Sequence, residues 1–505
     1  MRTFVVNERV AEDHHERASS PIDPARCAAI NKLPPDVLLL IFHQVRYTIQ
    51  ESPDGRIPTI GQDDTHLRPS YQHPTRTYFF SELIASVCRH WREVMSATSS
   101  FWTHLVIWIG EEPTPLSHIR DHLAWSREHL LDICVLSGRP LGAPYSSAME
   151  KAQVDATMEL LVPHMQRWKT LCMNVLYSTS LPLPRIDIVG RADNLVELEQ
   201  LFFDDSAAVA DAADSSVIRE FHTPRLDVLI MSGLHFRESY VKPFPRHAMP
   251  TWLNEVKILG YGAHHPAFPV VDLLRCLVSC EVLDDVELAD LALDLSYMGP
   301  PVLPPASSWT PCVCLVGLPG NIIAEYHRLL DYPFAETISY TRCTMERPAR
   351  LCEWHSLDLN EINSPPSLLS FLLLGQNRFS GNEVSFTDCD GLVPAVLSFI
   401  ARPLLGGALW PCATVTRLTI DRCERFRSSH LREVLEARRS AHAATGYAEQ
   451  DDPGFVVNPI TELYVSDCCE LDPGDKEWFD ANVYWVCWDN WWGGTASQHH
   501  NWPRS

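Results

Sequence analysis

A short strand-like motif returns along most of this 505-residue chain. It reads "NLVELEQLFF", "PRLDVLIM", "NEVKILGY" and "EVLDDVEL", and later "EWHSLDLNEI", "NEVSFTDC", "VTRLTIDRC" and "ITELYVSDC". Aligned on the motif, Leu201, Leu229, Val256 and Val286 stand 28, 27 and 30 residues apart. One such unit cannot bury its apolar face alone, so the units must stack on one another to share a core.

Between the strands lie helical stretches. "SHIRDHLAWSREHLL" leads into "LDICVLS", and "ATMELLVPHMQRWKTLCMNV" repeats the order of helix then strand. The later units share one spacing: Val384-x-Phe386-x-x-Cys389, Leu418-x-Ile420-x-x-Cys423 and Leu463-x-Val465-x-x-Cys468. Two apolar residues line the core face of a strand, and a cysteine follows where the chain turns. Steps in the twenties with an L-x-x-L-x-L-like strand point to leucine-rich repeats, with strands inside a curved solenoid and helices outside. The later steps lengthen to 34 and 45 residues, so the solenoid is expected to be irregular. The fold class expected is α/β with a parallel inner sheet. In such a sheet alternate side chains point away from the core, which puts Arg417, Thr419 and Tyr464 on the open side of the curve, where, if the chain holds a protein substrate, they are candidates for contact with it.

Composition narrows the function. A hydrophobic fraction of 46% belongs to a folded chain. A formal net charge of -23 opposes attraction to phosphate backbones and anionic lipid, so neither nucleic acid nor membrane is an expected partner. No apolar run reaches the roughly 18 residues of a membrane span. The start, "MRTFVVNERVAEDHHERASS", turns charged before a signal-like core develops, so an intracellular site, cytoplasm or nucleus, is the expectation. The sixteen cysteines follow no paired spacing and fit buried, reduced thiols.

The first hundred residues differ. After a polar arm at 1–28, "LPPDVLLLIF" carries helix-start punctuation at Pro34 and Asp36 and is apolar on nearly every side. A one-sided surface helix would be polar on its far face, so something must cover the second face of this one. A turn-rich insertion, 51–77, follows, and then "FFSELIASVCRHWREVM", where Leu83, Val87, Trp91 and Val94 recur at helical spacing. "FWTHLVIWI" closes the helical module at about residue 107, leaving 108–494 to the repeats and 495–505 as a tail.

Catalytic arrangements are missing from the sequence. There is no G-x-S-x-G elbow, G-K-S/T phosphate loop or H-E-x-x-H helix, and no enzyme activity or cofactor is expected. His118, His122 and His129 share a helical face but lack a completing carboxylate or cysteine, so they read as a solvated face and no metal is expected. The arginines at 422, 425, 427, 432, 438 and 439 likewise read as a solvated helix face. The tail "VYWVCWDNWWGG" reads as a last strand capping the array.

Joined across the insertion, "LPPDVLLLIF", "VCRHWREV" and "SFWTHLVI" resemble an F-box, the helical module that docks on the Skp adaptor of a cullin-type ubiquitin ligase. The resemblance covers about Ile30 to Ile107, residues 29–107 as a domain. The repeats resemble the leucine-rich region of F-box families in mushroom-forming fungi, including "HLAWSREHLLDICVL". The resemblance implies a substrate-recognition subunit that needs no catalytic residue. It places adaptor contacts at Leu33, Pro34, Val37, Leu38, Ile41 and Phe42, with Val87, Cys88 and Trp91, the opening helix packing its other face on the Leu83, Val87 and Trp91 helices. The alternative is a leucine-rich-repeat interaction scaffold without a ligase role.

Overall fold

A computed structural model of the chain describes residues 33–50, 76–137, 146–204, 219–243, 249–302, 312–330, 335–345, 354–373, 381–404, 410–445 and 457–496. The arm at 1–28, most of the insertion and most of the tail lie outside the described residues. The rest divides into two compact units, one ending at Trp102 and taking in Trp125–Arg127, the other running from Thr103 and holding the remainder.

The first unit is helical. Helix α1 (Pro35–Gln50) starts at a proline, and the Pro34 carbonyl accepts the first helical bonds from Val37 and Leu38 at 3.0 and 3.1 Å. Helices α2 (Arg76–Ser86) and α3 (Arg89–Ala97) follow, with Cys88 between them in extended backbone, its sulfur capping α3 by accepting from the Trp91 amide at 3.4 Å. The core is Leu38, Phe42, Phe80, Ala85, Val94, Met95, Phe101 and Trp102. Burying each Leu or Phe is worth about 1.5–3 kcal/mol. Hydrogen bonds fix the apolar contacts: Trp102 Nε1 donates to the Met95 carbonyl at 2.9 Å, and the Ser81 hydroxyl donates to the Phe101 carbonyl. The inward face of α2 is thus Phe80, Ser81 and Ala85, whereas Leu83 and Val87 are 63% and 57% exposed. The sequence reading sets those two against α1; the register of α2 turns Leu83 outward, and Val87 lies just past its end.

The second unit carries a 15-stranded sheet. Its strands are β1 (His104–Ile109), β2 (Leu131–Ser137), β3 (Trp168–Tyr177), β5 (Glu197–Asp204), β7 (Val228–Ser232), β8 (Glu255–Tyr261), β9 (Asp285–Leu291) and β10 (Cys312–Val316). They continue as β11 (Ala335–Thr341), β12 (Trp354–Asn360), β13 (Glu383–Thr387), β14 (Arg417–Asp421), β15 (Glu462–Ser466), β16 (Trp485–Trp488) and β17 (Trp491–Gly493). Two short strands, β4 (Gly190–Arg191) and β6 (Phe221–His222), pair separately. Each strand of the large sheet lies beside the next along the chain, and all pairs are parallel except the last, where β17 folds back on β16. Parallel neighbours require crossovers, and helices such as Val270–Val278, Gly320–Leu329, Pro365–Leu373 and Ser428–Thr445 supply them. This is a mixed α/β, solenoid-like arrangement. It begins at β1 rather than near residue 108, because Leu105 and Ile107 join the sheet core.

Two buried ladders run across the sheet. In the first, Leu198, Leu229, Val256, Val286 and Val313 are register neighbours, as are Val384, Leu418, Leu463 and Val486 further on. Leu198, not Leu201, therefore pairs with Leu229; alignment on leucines alone had slipped by three residues. The second ladder includes Ile258, Leu288, Leu315, Tyr340, Leu359, Phe386, Ile420 and Val465, all at most 1% exposed. It also contains the buried Gln200, whose amide donates to the Pro182 carbonyl at 3.0 Å.

A left-handed residue ends the middle and later strands: Gly260, Asp290, Gly317, Arg342, Glu361, Asp388, Arg422 and Asp467, with φ between 48° and 69°. That corner drives the next residue into the core, and at Cys343, Cys389 and Cys423 it is a buried thiol. Each of these thiols lies near the carbonyl of the second-ladder residue one strand back, Leu315, Leu359 and Phe386, at 3.2, 3.1 and 3.9 Å. Two further expectations change. His122 is fully buried rather than solvated, and so is Arg438, which donates to the carbonyls of Pro411, Cys412, Ala413, Val415 and Asn458.

Candidate functional site

Helix α1 has two apolar faces because its sequence is apolar at both sets of helical positions. Leu38 and Phe42, one turn apart, point inward at 0% and 1% exposure, and Phe42 meets the Trp91 ring at 5.0 Å between centroids. Beside that stripe Val37, Ile41 and Val45 are 37–39% exposed, and Leu40, on the far side of the helix, is 70% exposed.

This splits the sequence-derived docking set. Pro34, Val37, Ile41 and Val87 are exposed, while Leu33, Cys88 and Trp91 are half-buried, Leu33 and Trp91 packed against the helical core. Leu38 and Phe42 are core residues, a correction that follows from their place on the inward face. Leu40, Val45, Leu83 and Tyr47 are exposed apolar residues outside that set. The signal for the first two was present as the i, i+3, i+4, i+8 pattern from Val37.

The second candidate surface is the sheet face away from the ladders. Side chains alternate along every strand, so the residues flanking each ladder position form columns on this open face. Arg417, Thr419 and Tyr464 lie there as expected, half-buried, with Thr419 and Tyr464 register neighbours. Arg417 is already engaged. It contacts Glu462 at 2.7 Å and Glu383 at 3.5 Å, and its guanidinium lies 5.8 Å from the centre of the Tyr464 ring. The bond to Glu462 holds its pKa above the ordinary arginine value.

Toward the middle of the sheet the open face turns acidic. Glu197 and Asp285 have raised carboxyl pKa values, from burial first and then from neighbouring carboxylates, and burial raises Glu287 against the pull of Lys257. Asp358, farther along, is raised by burial and then by Glu383. Lys257 lies 2.8 Å from Glu255 and 3.8 Å from Glu287. Sequence reasoning missed this surface because its carboxylates come from strands far apart in the chain, and only the register brings them together.

No family model matches the chain, and no curated protein matches it. Among the described residues, no helix is long and apolar enough to cross a membrane.

Proposed function

We propose that this chain is the substrate-recognition subunit of a Skp–cullin–F-box type ubiquitin ligase. On this reading the helical unit is an F-box that docks on the Skp adaptor, and the sheet unit is a leucine-rich-repeat solenoid whose open face holds a protein substrate. The observation that carries it is the apolar surface of α1 outside its core stripe, where Val37, Leu40, Ile41 and Val45 are exposed although Leu38 and Phe42 already fill the core. A helix that is apolar all round is stable in water when a second surface covers it. A few buried aliphatic anchors dominate such contacts, each worth about 1.5–3 kcal/mol before ordering costs. The repeating ladder, left-handed corner and thiol support the repeat reading of the sheet unit.

The test is direct binding of the full chain to a purified Skp-type adaptor. The wild type is expected to bind, and Leu40→Glu with Ile41→Glu is expected to abolish binding while leaving the far-ultraviolet spectrum and melting midpoint unchanged. A wild type that fails to bind the adaptor, or a double variant that binds equally well, overturns the reading. The first result would favour a scaffold without a ligase role.

A further inference from the structure

Strands β5, β7, β8 and β9 are consecutive in the sheet. On the open face β5 presents Glu197 and Glu199, β8 presents Glu255, and β9 presents Asp285 and Glu287. Between them β7 presents Val228 and Ile230, which are register partners of Glu197 and Glu199 on one side and of Glu255 and Lys257 on the other. Strands β5 and β8 are two inter-strand spacings apart, about 10 Å. The result is an apolar floor between two acidic rails, spaced to admit an extended segment or one face of a helix.

The charges on these rails are poorly compensated. Lys257 is the only cation that the four strands contribute, and it faces Glu255 and Glu287 on one rail; beside Glu197 on the other, Lys169 of the neighbouring β3 is drawn to Asp132 at 3.4 Å. Glu255 and Asp285 are direct register partners on adjacent strands, and like charges so placed cost stability. At the other rail stands Asn174, 5% exposed, whose Nδ2 donates to Glu199 Oε1 at 2.9 Å. Its buried Oδ1 has no hydrogen-bond partner among the described residues. An orphaned acceptor against a carboxylate is matched by a cationic N–H donor.

We infer that this stretch of the open face binds a Lys/Arg-rich amphipathic segment of a partner protein. The aliphatic stems of the lysines and arginines lie on Val228 and Ile230, and their charged heads reach the rails. Polyanions are repelled by the same field. The inference rests on reading the open face as the substrate surface, and it is independent of adaptor docking by the helical unit.

The experiment uses the full chain and a fluorescent peptide alternating Lys/Arg with Leu, followed by anisotropy at physiological salt. A second peptide carries Glu in place of every Lys and Arg. The rail variant combines Glu199→Gln, Glu255→Gln and Asp285→Asn. The control removes three exposed carboxylates off the sheet, Glu111→Gln, Glu112→Gln and Glu424→Gln. The basic peptide is expected to bind the wild type and the control alike, the rail variant to bind it about tenfold more weakly or worse, and the acidic peptide not to bind. Neutral isosteres relieve repulsion, so the fold should hold; where the triple variant melts early, Glu255→Gln alone carries the comparison. No binding by the wild type, or equal losses in the rail and control variants, overturns the inference. Adaptor capture measured on the same rail variant should be unchanged, so failure here is distinguishable from failure of the docking reading.

Discussion

The backbone amide of Cys423 donates to the sulfur of Cys468 on the next strand at 3.3 Å, and the Cys389 amide donates to the sulfur of Cys423 at the same distance. Each thiol thus serves as acceptor for the corner one strand back. The left-handed residues Asp388, Arg422 and Asp467 make this possible by turning the chain immediately before each cysteine.

Cys423→Ala therefore removes the acceptor of a buried amide. The expected loss is about 1–3 kcal/mol, with Cys423→Ser costing less because its hydroxyl can still accept. Hydrogen exchange is the local check: the Cys389 amide should lose protection in the alanine variant first. Unchanged exchange there would show that the sulfur contact carries no weight.

Leu38 and Leu40 sit two positions apart on α1 and should behave oppositely. Leu38→Ala opens a cavity in the small helical core and should cost about 2–5 kcal/mol. Leu40, at 70% exposure, has little to lose, so Leu40→Ala should stay within about 0.5 kcal/mol of wild type. Denaturation of the two variants followed through the helical unit's tryptophans decides the assignment. Equal losses would mean that the outward face is buried in the free protein.

Much of the architecture was legible because stacking imposes a repeated pattern on a parallel sheet. The spacing of Val384, Phe386 and Cys389 and its two later copies located a strand, its core face and its turn. The slip from Leu198 to Leu201 has a simple origin: "LVELEQLFF" offers leucines at both, and Gln200 interrupts the second ladder where an apolar residue was expected. Arg438 was misread because a guanidinium that satisfies five carbonyls looks, in sequence, like its solvated neighbours. The α1 face was split wrongly since its periodicity fits two inward directions equally well. The acidic rails depend on strand register between distant segments, which no local pattern encodes.

Two buried histidines should make the sheet unit acid-sensitive. Burial lowers His327 to about 3 and His235 to about 4; His327 Nε2 lies 2.9 Å from the Tyr340 hydroxyl, and His235 Nδ1 lies 2.9 Å from that of Ser232. Unfolded, each ring titrates near 6.5. Above that pH both states are neutral and the full stability is present. As pH falls below it, the unfolded chain binds protons that the folded one refuses, and stability is lost down to the folded pKa, about 3 kcal/mol for His235 and about 5 kcal/mol for His327. Urea midpoints at pH 7 and pH 4.5 should diverge strongly in wild type and less in His327→Gln, which keeps a partner for Tyr340. Parallel shifts in the two proteins would sink the assignment.

Arg417 tests whether the far end of the open face reads substrate as well as holding its own strands together. It bridges Glu383 and Glu462 across three adjacent strands and lies by the Tyr464 ring. Arg417→Glu would set three carboxylates side by side, so a modest loss of about 1 kcal/mol is expected from cross-strand repulsion alone. Arg417→Met keeps the stem, removes the charge and should cost less, which makes it the cleaner binding variant. Combined with Tyr464→Ala, it should leave adaptor capture intact and change the set of proteins that co-purify with the chain, if substrate reaches strands β14 and β15. If that set is unchanged while the rail variant on β5 to β9 alters it, recognition belongs to the middle of the sheet, and Arg417 serves to hold Glu383 and Glu462 together against their own repulsion.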